Sequence, residues 1–393
     1  MAGSVIVSGA RTPIGRFNGG LSSFTGAQLG GFAIEAALER AAITGDQVDY
    51  VVMGQVLQAG QGQITARQAA VNAGIPMNVP ALTINKVCLS GLNAIYLADQ
   101  MIRSGDADVV IAGGMESMTN APYLLPDGRS GMRMGNSTAV DAMIHDGLWC
   151  AFDDSHMGDG TERDACNASI SRATMDAFSA QSHERATAAQ KDGLFDEEII
   201  HVAVPQRSGD PVMIDTDEGV RPGTTSEGLG KLRAAFATDG AVTAGNASQI
   251  SDGGAAMVIM SQKAAADRGI TGLAEVVSYG MVSGPDTNLL TQPSRAILQA
   301  LGKADLDVSD ISLFELNEAF AAVGLAASAD LGISDDIVNV NGGAVALGHP
   351  IGMSGSRLAL TLIHELRRRG GGLGAAALCG GGGQGDALIL RTL

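Results

Sequence analysis

Positive charge is scarce in this sequence: 25 lysines and arginines face 42 aspartates and glutamates, a net charge of −17. Such a field repels phosphate backbones and anionic membrane surfaces, which argues against nucleic-acid and membrane partners. A phosphate-bearing ligand must then be held by a local basic patch or by backbone N–H groups. Long apolar runs are missing as well, since no stretch approaches the roughly 18 consecutive apolar residues of a transmembrane helix. Cysteine is limited to Cys88, Cys150, Cys166 and Cys379, with no CxxC spacing and no paired Cys or His spacing suited to a metal. The start, MAGSVIVSGARTP, has no basic stretch before its short apolar run. The expectation is a reduced, cytoplasmic protein without a metal. Two glycine pairs, Gly113-Gly114 and Gly342-Gly343, lack the G-x-G-x-x-G spacing and the acidic residue about 20 positions later that a dinucleotide-binding turn needs. A hydride-transferring dehydrogenase is disfavoured accordingly.

What is present points to a globular chain with many tight turns. It has 393 residues, 45% of them hydrophobic, and 54 glycines without a G-X-Y period. At roughly 150 residues per domain this makes two or three domains. Ser4 to Ser8 and Tyr50 to Met53 read as short buried strands, and Gln28 to Ala42 has helical spacing. Leu89 to Ser104 carries a helical apolar repeat ending at Gly105, followed by a strand from Asp108 to Ala112 that the Gly113-Gly114 pair is expected to stop. The order recurs near the C-terminus: a loop with His349, a helix from Ser354 to Arg369, a strand from Ala375 to Leu378, then Cys379 and four glycines. The pattern predicts an α/β fold with two related halves, one of residues 1–119 and 248–270, the other of residues 271–393. Residues 120–247, with polar stretches such as HMGDGTERD and RPGTTSEGLG, read as an inserted domain. Apart from a helix from Ile170 to Lys191, the insert is expected to be mostly loop, suited to holding a ligand.

Four residues could carry chemistry. Cys88, in NKVCLSG, stands at the entrance to a helix, where backbone N–H groups and the helix dipole lower a thiol's pKa; the alternative is a small buried hydrophobe. His349 lies in a glycine-wrapped loop and can take a proton from Cys88 or polarise a carbonyl, unless it is merely a turn residue. Cys379 precedes Gly380 to Gly383, whose exposed N–H groups suit an oxyanion hole or simply make a hairpin. Asn317 interrupts an apolar stretch, where it can either cap a helix or orient a water.

NKVCLSG, AGGMESM, HMG at 156–158, TAGNAS at 243–248, NEAF, NGGAVALGHPIGMSG and LCGGGG together resemble the thiolase family, in its short-chain acetoacetyl-CoA branch, across essentially the whole chain. The resemblance implies a duplicated, five-layered αβαβα fold with an inserted loop domain. It implies that Cys88 is the nucleophile, His349 its activator, Cys379 the second acid/base, and Asn317 the holder of an oxyanion-hole water. The N–H groups of Cys88 and Gly381 would form the other oxyanion hole. Acetyl-CoA, acetoacetyl-CoA and CoA would be substrates and products, with no separate cofactor, and the chain would assemble as a homodimer or homotetramer. CoA would lie on the insert, with Ser248 and His156 near pantetheine, Arg221 near adenine, Leu148, Met157, Phe236 and Phe320 as apolar liners, and Ala244 as a further CoA-binding position. The chain departs from many relatives at Asp159 to Arg163, at Gly228, and in a longer Pro285 to Pro293 stretch. A broader-chain 3-ketoacyl-CoA thiolase is the alternative enzyme. A non-catalytic acyl-CoA or lipid carrier is the alternative of another class, and retention of all four catalytic side chains argues against it.

Overall fold

The computed structural model describes residues 3–393. Its first half comprises β1 (Ser4–Arg11), α1 (Gly26–Ala41), β2 (Tyr50–Gly54), α2 (Thr65–Asn72), β3 (Ala81–Ile84), α3 (Ser90–Ser104) and β4 (Val109–Ser117). After α4 (Met157–Asn167) and α5 (Arg172–Lys191), the chain returns to the same sheet as β5 (Ser251–Ser261). The second half runs β6 (Ala274–Ser283), α6 (Gln292–Lys303), β7 (Leu313–Leu316), α7 (Ala321–Leu331), α8 (Ser354–Arg368), β8 (Leu373–Gly380) and β9 (Gln384–Thr392).

The duplication is visible strand by strand. In the first half β3, β2 and β4 are parallel neighbours, and β5 and then β1 follow antiparallel. In the second, β7 and β8 are parallel, β9 and β6 follow antiparallel, and a parallel bridge from Phe314 to Val338 stands where β3 does. The halves join where Val5 and Ile6 of β1 pair with Glu275 and Ala274 of β6.

Alternation along the strands sorts side chains into layers, because successive residues point to opposite faces of a sheet. On β1, Val5 and Val7 pack with α1 and α2 while Ile6 faces inward. On β9, Ala387 and Ile389 pack with α6 and α7, while Leu388 and Leu390 face the same inner core as Ile6. That inner core is built on α3 and α8, so the order is helices, sheet, helices, sheet, helices. α8, with a sheet on either side, is buried around almost its whole circumference. α3 and α8 meet at their N-terminal ends through glycines. A Cβ on Gly91 would lie 2.8 Å from Ser356 Oγ, and one on Gly355 would lie 2.3 Å from the Leu92 nitrogen. This close crossing sets the segments just before the two helices, and with them Cys88 and His349, side by side.

Helix ends follow local rules. Thr25 caps α1 and forms a reciprocal box with Gln28, and Gly105, at φ 82°, ends α3 as expected. Two expectations are corrected. Gly113 and Gly114 do not stop the strand; β4 runs through them to Ser117. A Cβ on Gly113 would lie 2.2 Å from the Ala255 oxygen and one on Gly114 2.0 Å from the Gly352 oxygen, so these glycines serve close backbone approach, not a turn. The polar HMGDGTERD stretch is not a loop, because its residues from Met157 onward form the start of α4. His156 caps that helix by accepting from the Gly158 N–H at 3.0 Å, while Asp159 Oδ2 accepts from the His156 N–H at 3.1 Å.

Candidate active site

Cys88 sits in a turn between β3 and α3 whose backbone is held under strain. Val87, β-branched, takes φ 51°, a left-handed conformation unusual for its type. Side chains over-determine the turn. Asn85 Oδ1 accepts from the Val87 N–H at 3.0 Å, and Ser90 Oγ accepts from the Lys86 N–H at 2.8 Å while donating to the Val87 oxygen at 2.6 Å. Lys86 Nζ reaches across to buried Asp386 on β9 at 2.7 Å, fastening the turn to the other half.

His349 is held from every side. Its N–H donates to the Gln249 oxygen at 3.1 Å and to Ser251 Oγ at 3.2 Å. Ser354 Oγ lies 2.6 Å from His349 Nδ1 and donates to the Pro350 oxygen at 3.0 Å. With its one proton on that carbonyl, the hydroxyl accepts from Nδ1–H, which leaves Nε2 as the basic nitrogen. The Asn317 amide donates to Nε2 at 3.3 Å, and its Oδ1, buried, has no partner among the described residues. Asn317 does not cap α7, whose N-cap is Phe320. It is aimed at the histidine, with one oxygen free for a water or ligand proton.

Cys88 and His349 both line one cavity of about 240 Å³. Leu148, His156, Met157, Phe236, Ala244, Ser248 and Phe320 line it too, so nine of the residues expected from the sequence share this wall. The volume falls below the roughly 300 Å³ at which sites for drug-sized ligands begin. The Phe236 ring packs at a tilt against His156, with centroids 4.8 Å apart, and meets Phe320 edge-on at 6.4 Å. Gly158 permits this, because a Cβ there would lie 2.1 Å from the Phe236 ring.

Cys379 is buried beside the cavity in an apolar cluster with Met157, Leu289, Leu290 and Phe320. Gly381 begins the hairpin turn after β8, where a side chain would stand 3.5 Å from Val87, so the glycine turn packs on the Cys88 turn. The Pro285 to Pro293 segment supports this corner, with Leu289 and Leu290 covering Cys379, and just before it the Gly284 N–H donates to the Gly383 oxygen at 2.9 Å. Arg221 does not line the cavity. It is exposed, and its N–H donates to His183 Nδ1 at 3.2 Å. Of the residues that depart from the family pattern, Glu162 accepts from the Ala241 and Val242 N–H groups at 2.6 and 2.8 Å and so braces the TAGNAS segment.

Electrostatics correct one further expectation. Burial pushes the Cys88 thiol up instead of the helix entrance drawing it down, and a charge on Cys379 or Glu116 pushes it further. Burial likewise pushes Cys379 up to about 12. His349 is lowered to about 3, first by burial and then by the Arg357 charge. Thiols and imidazole are therefore all neutral at rest, and neighbouring Cys88 and Cys379 resist being thiolates together. Below pH 6.5 an unfolded chain would protonate this histidine, while the fold refuses the proton until about 3, so its contribution to stability is lost as pH falls through that window. The His349 ring resonance is expected not to titrate between pH 8 and 5 in an NMR pH series of the ligand-free protein. A midpoint near 6.5 would contradict the buried neutral ring.

Sequence reasoning missed Ser354, which selects the His349 tautomer, and Glu116, whose place is taken up below. A histidine preceding a helix by five residues signals the first only once the loop's path is known. Comparisons with known proteins agree with the motifs. Family models described as the thiolase N-terminal and C-terminal domains match residues 4–263 and 270–392. A probable acetyl-CoA acetyltransferase of Mycolicibacterium smegmatis is 54% identical over 387 residues, covering 98% of this chain and 100% of that protein. One of Mycobacterium tuberculosis is 54% identical over 392 residues, and the acetyl-CoA acetyltransferase of Cupriavidus necator 50% over 392, each covering 100% of both chains.

Proposed function

The chain belongs to the thiolase family, and from that membership we propose that it transfers acetyl groups between CoA thioesters through an acyl-cysteine on Cys88. Its reaction is the reversible condensation of two acetyl-CoA to acetoacetyl-CoA and CoA, in keeping with the acetyl-CoA acetyltransferases it matches over their full length. The observation that carries the mechanism is the meeting of Cys88 and His349, from opposite halves, in one small apolar cavity with Cys379 beside it.

In the first stage Cys88 gives its proton to His349 Nε2 as its sulfur attacks the acetyl carbonyl. The departing CoA sulfur takes the Cys379 proton, leaving Cys379 as the thiolate and Cys88 as a neutral thioester. This order respects the repulsion between the two sulfurs, because Cys379 is charged only after Cys88 is capped. In the second stage Cys379 removes a Cα proton from a second acetyl-CoA, the carbanion attacks the acetyl group, and Cys88 leaves, recovering its proton from His349. Charge develops on a thioester oxygen in both stages. The N–H groups of Cys88 and Gly381 serve one such oxygen, and His349 with a water on Asn317 the other. Ser248, Ala244 and His156 guide pantetheine, and exposed Arg221 meets the nucleotide end. We place the chain in a reducing cytoplasm as a homodimer or homotetramer, a setting that keeps both sulfurs as thiols.

Chain length tests the substrate. Met157, Leu148 and Phe320 are among the apolar residues lining the cavity, a lining that supports a short acyl group. Acetoacetyl-CoA is expected to be cleaved with kcat/KM at least about tenfold above an eight-carbon 3-ketoacyl-CoA, a margin within reach of a hydrophobic pocket. Equal values in a thiolysis assay would instead mark a broader-chain enzyme.

A further inference from the structure

Glu116 is fully buried, has no ion-pair partner among the described residues, and spends its oxygens on backbone. Its Oε2 accepts from the Val56 N–H at 2.9 Å and from the Gly352 N–H at 3.0 Å, and its Oε1 accepts from the Leu57 N–H at 3.1 Å. Val56 belongs to the Cys88 side, because its oxygen accepts from Asn85 in the nucleophile turn at 3.4 Å. Gly352 belongs to the His349 side, lying between the histidine and Ser354. Only glycine fits there: a Cβ would stand 2.9 Å from both Glu116 Oε2 and the Gln55 Cα. We infer that Glu116 is a positioning residue that ties the nucleophile side of the cavity to the histidine loop. The carboxylate also acts on the sulfur as a charge. Burial lifts it to about 7, with three backbone bonds and Asp252 as the opposing and reinforcing influences, and when ionised it disfavours a thiolate at Cys88. Cys379 is the other group that pushes the Cys88 thiol upward. His349 stays neutral, and Lys86 in the same turn is committed to Asp386.

The inference rests on Cys88 being the nucleophile, and its test is chosen to read Cys88 directly, whether or not the proposed reaction is right. In the full chain, Glu116→Gln is expected to lower kcat for thiolysis about 10- to 100-fold with KM little changed, the cost of misplacing reacting groups by a fraction of an ångström to an ångström. Iodoacetamide labelling of Cys88, followed by peptide mass spectrometry across pH, is expected to show its midpoint moving to lower pH, because a neighbouring negative charge is gone. A merely structural loosening would hydrate the buried sulfur and lower the midpoint in Glu116→Asp as much as in Glu116→Gln. Glu116→Asp keeps the charge but shortens the reach, so it is expected to lose kcat while retaining the parental midpoint. Either folded variant with parental kcat and midpoint would overturn the inference. Hydrogen exchange on the unmutated chain provides a test that needs no variant: peptides bearing Val56, Leu57 and Gly352 are expected to be protected, and rapid exchange there would overturn it equally.

Discussion

After incubation with labelled acetyl-CoA, Cys88→Ala is expected to carry no covalent acetyl group and to show no acyl exchange with CoA, whereas Cys379→Ala still becomes acetylated at Cys88. The difference follows from the division of labour proposed for the two sulfurs. Thioester exchange at Cys88 needs His349 Nε2, which Ser354 keeps unprotonated, and needs no Cα deprotonation. Condensation does need it, and loss of a general acid/base costs about 10² to 10⁴ in rate. Cys379→Ala should therefore condense slower by that factor while its first stage survives, slowed only by the lost proton donor to the departing sulfur. Mass spectrometry of the intact protein and of its peptides decides the matter. An acetyl group mapped to Cys379 in the unmutated chain would reverse the roles.

Arg11→Met is expected to destabilise the protein by about 3–5 kcal/mol, the usual cost of leaving buried charge uncompensated. Arg11 is fully buried at the end of β1. Its guanidinium donates to Glu198 at 2.8 Å and to both oxygens of Asp217 at 2.7 and 3.0 Å, with the Phe195 ring 5.3 Å below. All three partners come from the inserted segment, so this one side chain fastens the insert to the first half. Urea unfolding should show the loss, and the triple variant Arg11→Met, Glu198→Gln, Asp217→Asn should recover much of it, because the stranded charges are then gone. A single-variant cost below about 1 kcal/mol would mean that the carboxylates find other partners or water.

Neither Arg11 nor Glu116 could be read from the sequence, and the reason is distance along the chain. Arg11 meets residues 187 and 206 positions away, and Glu116 meets Gly352 across 236 positions. In a list of residues, Glu198 and Asp217 look like the rest of a polar insert. The TAGNAS and NEAF motifs were legible as motifs, but their contact, with the Ser248 N–H donating to the Ala319 oxygen at 3.0 Å, belongs to the folded chain. Arg221 shows the converse: its motif position was legible, yet it stands exposed outside the cavity.

The sequence alone determined what depends on neighbours a few residues apart. Apolar spacing located α3, and the return of strand, helix and glycines near the C-terminus announced the second half. Residue types at motif positions named the four groups able to do chemistry. Tertiary structure decided what depends on which surfaces meet. Gly113 and Gly114 read locally as a stop, but the sheet and the Gly352 loop approach them so closely that they continue β4. The helix entrance at Cys88 reads locally as a thiolate stabiliser, but enclosure by both halves reverses the sign. Turn and helix propensities are properties of short segments, whereas desolvation and close backbone contact exist only once distant segments have excluded water from between them.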